Sequence, residues 1–136
     1  MGEKKHVVLQ HVDGYAFIGK GTSNHYVVID SVYGGRPAAS SGPMEMVLMA
    51  LGACSGSDVV EILRKKRQNV RDLKIELTGK RAEEHPRVYT HIHMRYVVEG
   101  EGVDTVAVER AIDLSLTKYC SVHGMLSKVA HITHEY

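Results

Sequence analysis

A chain of 136 residues that is 43% hydrophobic and carries a formal net charge of +1 has the length of a single domain, 1–136, and enough apolar content for a core, though a core that small leaves apolar surface uncovered unless copies associate. Its 17 basic residues are spread along the chain, Trp is absent and Phe occurs once, which argues against a basic nucleic-acid-binding face and against an aromatic ladder for single strands. The polar segment Met1–His6 lacks an apolar signal core and no apolar run reaches membrane-spanning length, so the expected compartment is the cytoplasm, with no membrane partner.

The first elements are strands. His6–Val12 is rich in β-branched residues. Tyr15–Gly21 follows the hairpin signal Asp13-Gly14, and His25–Asp30 follows Ser23-Asn24, so the pattern predicts an antiparallel meander. Tyr33–Gly42 is built of Gly, Pro, Ala and Ser with Arg36 as its one charge, a composition that predicts a flexible loop. Pro43 then opens a helix that extends to about Gln68. Met44, Val47, Leu48 and Leu51, then Val59, Ile62 and Leu63, recur at helical spacing. The basic run Arg64-Lys65-Lys66-Arg67 complements the helix dipole at that end, and a solvated face explains it better than an anion site.

Leu73–Thr78 and Val88–Val98 alternate apolar and polar residues, as half-buried strands do. The turn between them is Glu83-Glu84-His85-Pro86. Val103–Tyr119 reads as a second amphipathic helix, Val122–Val129 as a short further one, and Ala130–Tyr136 as a last strand. The order is βββ-α-ββ-α-β without an internal repeat, in blocks that predict an α+β fold.

Two cysteines stand out because they are the only thiols. Cys54 lies mid-helix between Gly52 and Gly56, and Cys120 ends the second helical pattern. A glycine inside a helix costs about 1 kcal/mol relative to alanine, so this pair calls for a reason: close approach of a neighbouring backbone, or a bend that exposes the thiol. Cys54 is read either as a small buried hydrophobe or as half of a redox couple with Cys120. In a reducing compartment a disulfide between them would be transient and catalytic. Arg36 and Glu45 are the candidate charge partners. A guanidinium near Cys54 favours the thiolate, and a carboxylate in the first helical turn is favoured by the dipole. Asp58, one turn past Cys54, is suited to cap a neighbouring element or to accept a hydrogen bond in the interior rather than to activate a thiolate of like charge.

Pro43-Met44-Glu45-Met46-Val47-Leu48-Met49-Ala50-Leu51-Gly52-Ala53-Cys54 together with Lys118-Tyr119-Cys120-Ser121-Val122 resembles the OsmC/Ohr family of osmotically induced and organic hydroperoxide resistance proteins, most closely its YhfA-type branch. Supporting segments are Ser57-Asp58-Val59-Val60, Pro86–Ile92 and Ile132-Thr133-His134, and the likeness spans essentially the whole chain. The resemblance implies an intertwined homodimer in which curved antiparallel sheets wrap two central helices and the active sites lie at the subunit interface. It implies a thiol-dependent peroxidase for organic hydroperoxides that acts in oxidative-stress defence, with Cys54 peroxidatic, Cys120 resolving, and Arg36 and Glu45 holding the thiolate. An external thiol or lipoyl group serves as reductant, and no cofactor is implied. In the family's peroxidases the glutamate directly follows the proline. Here Met44 takes that place and Glu45 comes one residue later, about 100° further around the helix. Two other readings stay open: a non-catalytic dimeric module that binds a small apolar ligand, and a thiol redox sensor.

The nine histidines show no zinc-type spacing with paired cysteines, so no metal is expected. His91 and His93 share a strand face, and His123 is the histidine nearest Cys120, where a general-acid role is conceivable. Met44, Met46, Met49 and Met125 read as adaptable core or pocket lining suited to apolar hydroperoxides.

Overall fold

A computed structural model describes residues 2–136, so Met1 of the polar N-terminal segment lies outside the described residues. The elements follow the predicted βββ-α-ββ-α order and close with a short helix and a strand. The chain falls into two compact units, one ending at Val47 and the other spanning Leu48–Tyr136.

In the first unit β1 (Val7–Asp13), β2 (Ala16–Gly21) and β3 (Tyr26–Ile29) form the expected antiparallel meander. Gly14 turns the first hairpin at φ 55°, in the left-handed region that favours glycine. The following loop is pinned, contrary to its composition. Asp30 is buried, and its carboxylate accepts the Ala39 N–H at 2.8 Å and the Ser31 N–H at 2.7 Å. The Ala39 bond is the main cause that holds its pKa below the usual carboxylate range. Ser40 Oγ donates to the Val28 carbonyl at 2.7 Å, and Tyr33 and Arg36 exchange backbone bonds. A buried carboxylate with two backbone donors organises the loop more strongly than Gly and Ser loosen it.

Helix α1 (Pro43–Lys65) continues into the second unit. It stops short of Gln68 because Arg67 adopts φ 55° and the Gln68 N–H bonds back to the Leu63 carbonyl at 3.0 Å, the left-handed closure that ends many helices. By length and composition α1 is apolar enough to cross a membrane, which corrects the expectation that no run reaches that length. Scattered Gly, Ser and Cys hide it from a simple reading for an apolar run. Its stripe Leu51, Ser55, Val59 and Leu63 is buried within the chain.

The second sheet is ordered β4 (Val70–Arg81), β5 (Tyr89–Gly100), β6 (His131–Glu135). β4 and β5 pair antiparallel, but β5 and β6 pair parallel, so the expectation of wholly antiparallel sheets is corrected. The helical segment between β5 and β6 supplies the crossover that a parallel pair requires. β4 extends beyond Leu73–Thr78 at both ends and β5 runs two residues past Val98, and within the ladder Arg95 pairs with Glu76 at 2.9 Å. Ile92, Met94 and Tyr96 of β5 are buried, along with Ala107, Val108, Ala111 and Ile112 of helix α2 (Thr105–Leu114).

The glycines flanking Cys54 serve close approach to β4. A Cβ on Gly52 would lie 2.8 Å from Leu77 Cδ1, and one on Gly56 would lie 3.0 Å from Ile75 Cδ1. It is strand side chains, rather than a second helix, that crowd this face.

Candidate functional site

The second helical pattern is not one regular helix. α2 gives way at Leu114 to a π-helical turn, Ser115–Tyr119, and α3 (Ser121–Leu126) begins immediately after it. The Cys120 N–H reaches back five residues to the Ser115 carbonyl at 2.7 Å. Thr117 Oγ1 donates to the Asp113 carbonyl at 2.7 Å, a side-chain bond that competes with the regular ladder. Wide turns of this kind recur at functional sites. This one leaves Cys120 as the N-cap of α3, where its sulfur accepts the His123 N–H at 3.4 Å.

That placement joins the two thiols. Cys54 is half-buried on α1, Cys120 is 5% exposed, both are free, and Cys54 is near enough to act on the Cys120 thiol. Burial is the largest influence on the Cys120 thiol and pushes it up to about 11. The His123 N–H opposes the rise, while Cys54 and the Asp58 charge add to it. At neutral pH Cys120 therefore keeps its proton.

Behind the thiols runs a buried polar chain that sequence reasoning missed except for Asp58. Ser55 Oγ lies 2.6 Å from Tyr96 Oη and 2.8 Å from Ser115 Oγ, and Ser115 Oγ donates to Asp58 Oδ2 at 2.9 Å. Ser55 and Ser115 are fully buried. Burial pushes the Tyr96 hydroxyl up to about 12, with the Cys120 and Asp58 charges adding to the rise and Ser55 opposing it. A signal was present in the sequence. Ser55 interrupts the stripe Leu51, Val59, Leu63, and Ser115 continues Val108, Ala111 and Ile112 at helical spacing. A hydroxyl in a buried stripe needs a partner there.

The remaining candidates are placed as follows. Arg36 belongs to the first unit, where its Nη1 is 3.0 Å from Asp13 Oδ2 and its guanidinium lies 5.8 Å from the Tyr33 ring centroid. Glu45 is exposed in the first turn of α1. His123 is half-buried, and burial together with the facing His134 lowers its pKa. His93 bonds Thr133 at 2.7 Å and Glu135 at 2.5 Å across the β5–β6 pair, and His91 stacks edge-on with His131. Among the described residues, no group of three or more His, Cys, Asp or Glu side chains is arranged to hold a metal ion. Met49 lines an apolar groove with Gly52, Gly56, Ile75 and Leu77, whereas Met125 is solvent-exposed. A second cavity of about 370 Å³ is lined by Asp58, Glu61, Ile62, Lys65, Lys66, Leu114 and Tyr119, within the size range of small-molecule sites.

Residues 37–135 match the family model described as OsmC-like protein. The chain is 48% identical over 125 residues to Protein YhfA of Escherichia coli (strain K12), covering 92% of this chain and 91% of that protein. Among solved structures, a hypothetical protein from Aquifex aeolicus VF5 superposes with a TM-score of 0.84 at 38% identity, covering 98% of this chain and 96% of that one. The organic hydroperoxide resistance protein OhrB of Bacillus subtilis shares the fold at a TM-score of 0.65 and 14% identity, covering 98% and 97%.

Proposed function

The chain belongs to the OsmC-like protein family, and from that premise we propose that it is a thiol-dependent peroxidase for organic hydroperoxides, with Cys54 as the attacking thiol and Cys120 as the resolving one. The observation that carries this reading is that the two thiols, 66 residues apart in the chain, lie close enough for Cys54 to raise the pKa of Cys120. A solitary buried cysteine needs no partner, whereas two neighbouring thiols can supply both sulfurs of a disulfide.

The Cys54 thiolate attacks the hydroperoxide O–O bond. The sulfur takes the terminal oxygen and becomes a sulfenic acid, and the alkoxide leaves and is protonated to the alcohol. Cys120 then attacks the sulfenic sulfur. The S–S bond forms, the S–O bond breaks, and the Cys120 proton departs with the hydroxyl as water. An external dithiol, such as a dihydrolipoyl group, returns the disulfide to two thiols. Arg36 and Glu45 enter this reading as charge partners of the thiolate on the family resemblance alone. The acting species is a homodimer, a reading supported by the uncovered apolar residues of the β1–β3 sheet.

Reduced protein mixed with cumene hydroperoxide and a dihydrolipoyl reductant should turn over many times, and Cys54→Ser should abolish turnover. A single stoichiometric oxidation without turnover would replace the enzyme with a redox sensor. If neither thiol oxidises, only a ligand-binding module is left.

A further inference from the structure

Ser115 is anchored twice. Its hydroxyl is tied to α1 through Asp58 and Ser55, and its carbonyl holds the Cys120 N–H. Asp58 lies one turn past Cys54 on the same helix. An ionised carboxylate only accepts, and a hydroxyl donates only one hydrogen. With the Ser115 hydrogen directed to Asp58, Ser115 must accept from Ser55, and Ser55 must in turn accept from Tyr96. One carboxylate thus sets the direction of the entire chain, which spans α1, β5 and the π-turn.

We propose that Asp58 is the positioning residue of the resolving thiol: by orienting the Tyr96–Ser55–Ser115 chain it locks the π-turn to α1 and holds the Cys120 sulfur against Cys54. Asp58 acts through Ser115 rather than on either sulfur. The inference rests on reading Cys54 and Cys120 as a pair that closes to a disulfide, but not on hydroperoxide being the oxidant. Without the anchor, the hydroxyls of Ser55 and Ser115 can reorient and the π-turn loses its tie to α1. Cys120 then samples positions from which the S–S bond cannot form.

The test uses the full chain and diamide, which accepts two electrons and two protons from the thiols as they close to a disulfide and becomes the hydrazine. Asp58→Ala and Ser115→Ala should each slow closure by about tenfold or more, the scale of one lost charge-assisted bond. Asp58→Asn keeps an oxygen that accepts from Ser115 and should recover closure to within about threefold of the wild type. In a Cys120→Ser background, alkylation of Cys54 should change by less than about threefold on adding Asp58→Ala, since the anchor acts on the other thiol. Wild-type closure rates in both alanine variants would overturn the proposal. So would equal slowing by Asp58→Asn and Asp58→Ala, or a parallel loss of Cys54 alkylation. Wild-type protein that closes with diamide but not with cumene hydroperoxide would remove the peroxidase reading and leave this one standing.

Discussion

At the residue scale, Cys120 is held between opposing influences. Burial raises its pKa, the His123 N–H lowers it, and Cys54 and Asp58 raise it further, to about 11. The consequence at neutral pH is a thiol that keeps its hydrogen, which in the proposed cycle would leave with the sulfenic hydroxyl as water. It also has a consequence for stability. An unfolded cysteine ionises near its ordinary value of 9.0, so between that pH and about 11 the native state binds the extra proton. The associated stability is complete below pH 9 and is lost as pH rises through about 11. Tyr96 behaves likewise from 10.0 to about 12. Urea midpoints taken across this range should fall for the wild type. In Cys120→Ser the early part of that fall should vanish, leaving only the later Tyr96 part. Parallel curves for the two proteins would mean that burial does not retain the Cys120 proton. Of the two readings its spacing allowed for Asp58, a cap or an interior acceptor, the structure shows the acceptor. Its partner Ser115 was not legible, because hydropathy treats a serine in a buried stripe as noise rather than as a demand for a hydrogen bond.

At the element scale, α1 and the strands were legible because their apolar periods are local properties of the chain. The π-turn was not, because the extra residue in its turn reflects where Ser115 and Thr117 direct their hydrogen bonds. The glycines allow a sharp comparison. A Cβ on Gly100, at the end of β5, would lie 2.0 Å from the Asn69 carbonyl oxygen and 2.6 Å from Val103 Cγ2, and backbone cannot yield. On Gly52 the obstacle is the flexible end of Leu77. Gly100→Ala should therefore cost about 3 kcal/mol or more. Gly52→Ala should stay within about 1 kcal/mol of the wild type, since improved helix propensity offsets the displaced leucine. Urea denaturation ranks the two, and the reverse order would refute the account of close approach.

At the scale of the whole molecule, the β1–β3 sheet is the outstanding feature. Adjacent residues of its strands point to opposite faces, yet Val7 and Val8 are 63% and 58% exposed, and Tyr26 and Val27 are 70% and 48% exposed. A small meander with both faces uncovered is marginal in water, and patches of this kind mark association. Sedimentation equilibrium should give twice the mass of one chain, and Val27→Lys should weaken the dimer by at least about tenfold. A monomeric wild type would remove the homodimer from the proposed function. The sequence by itself determined the order of elements, the turn sites and the buried stripes, since those depend on residues a few positions apart. Only the tertiary structure decided that Cys54 and Cys120 come close to each other and that a hydroxyl chain ending on Asp58 lies behind them. Ser55 and Ser115, partners 60 residues apart, meet because the parallel crossover returns the chain to α1, and no local period encodes that return.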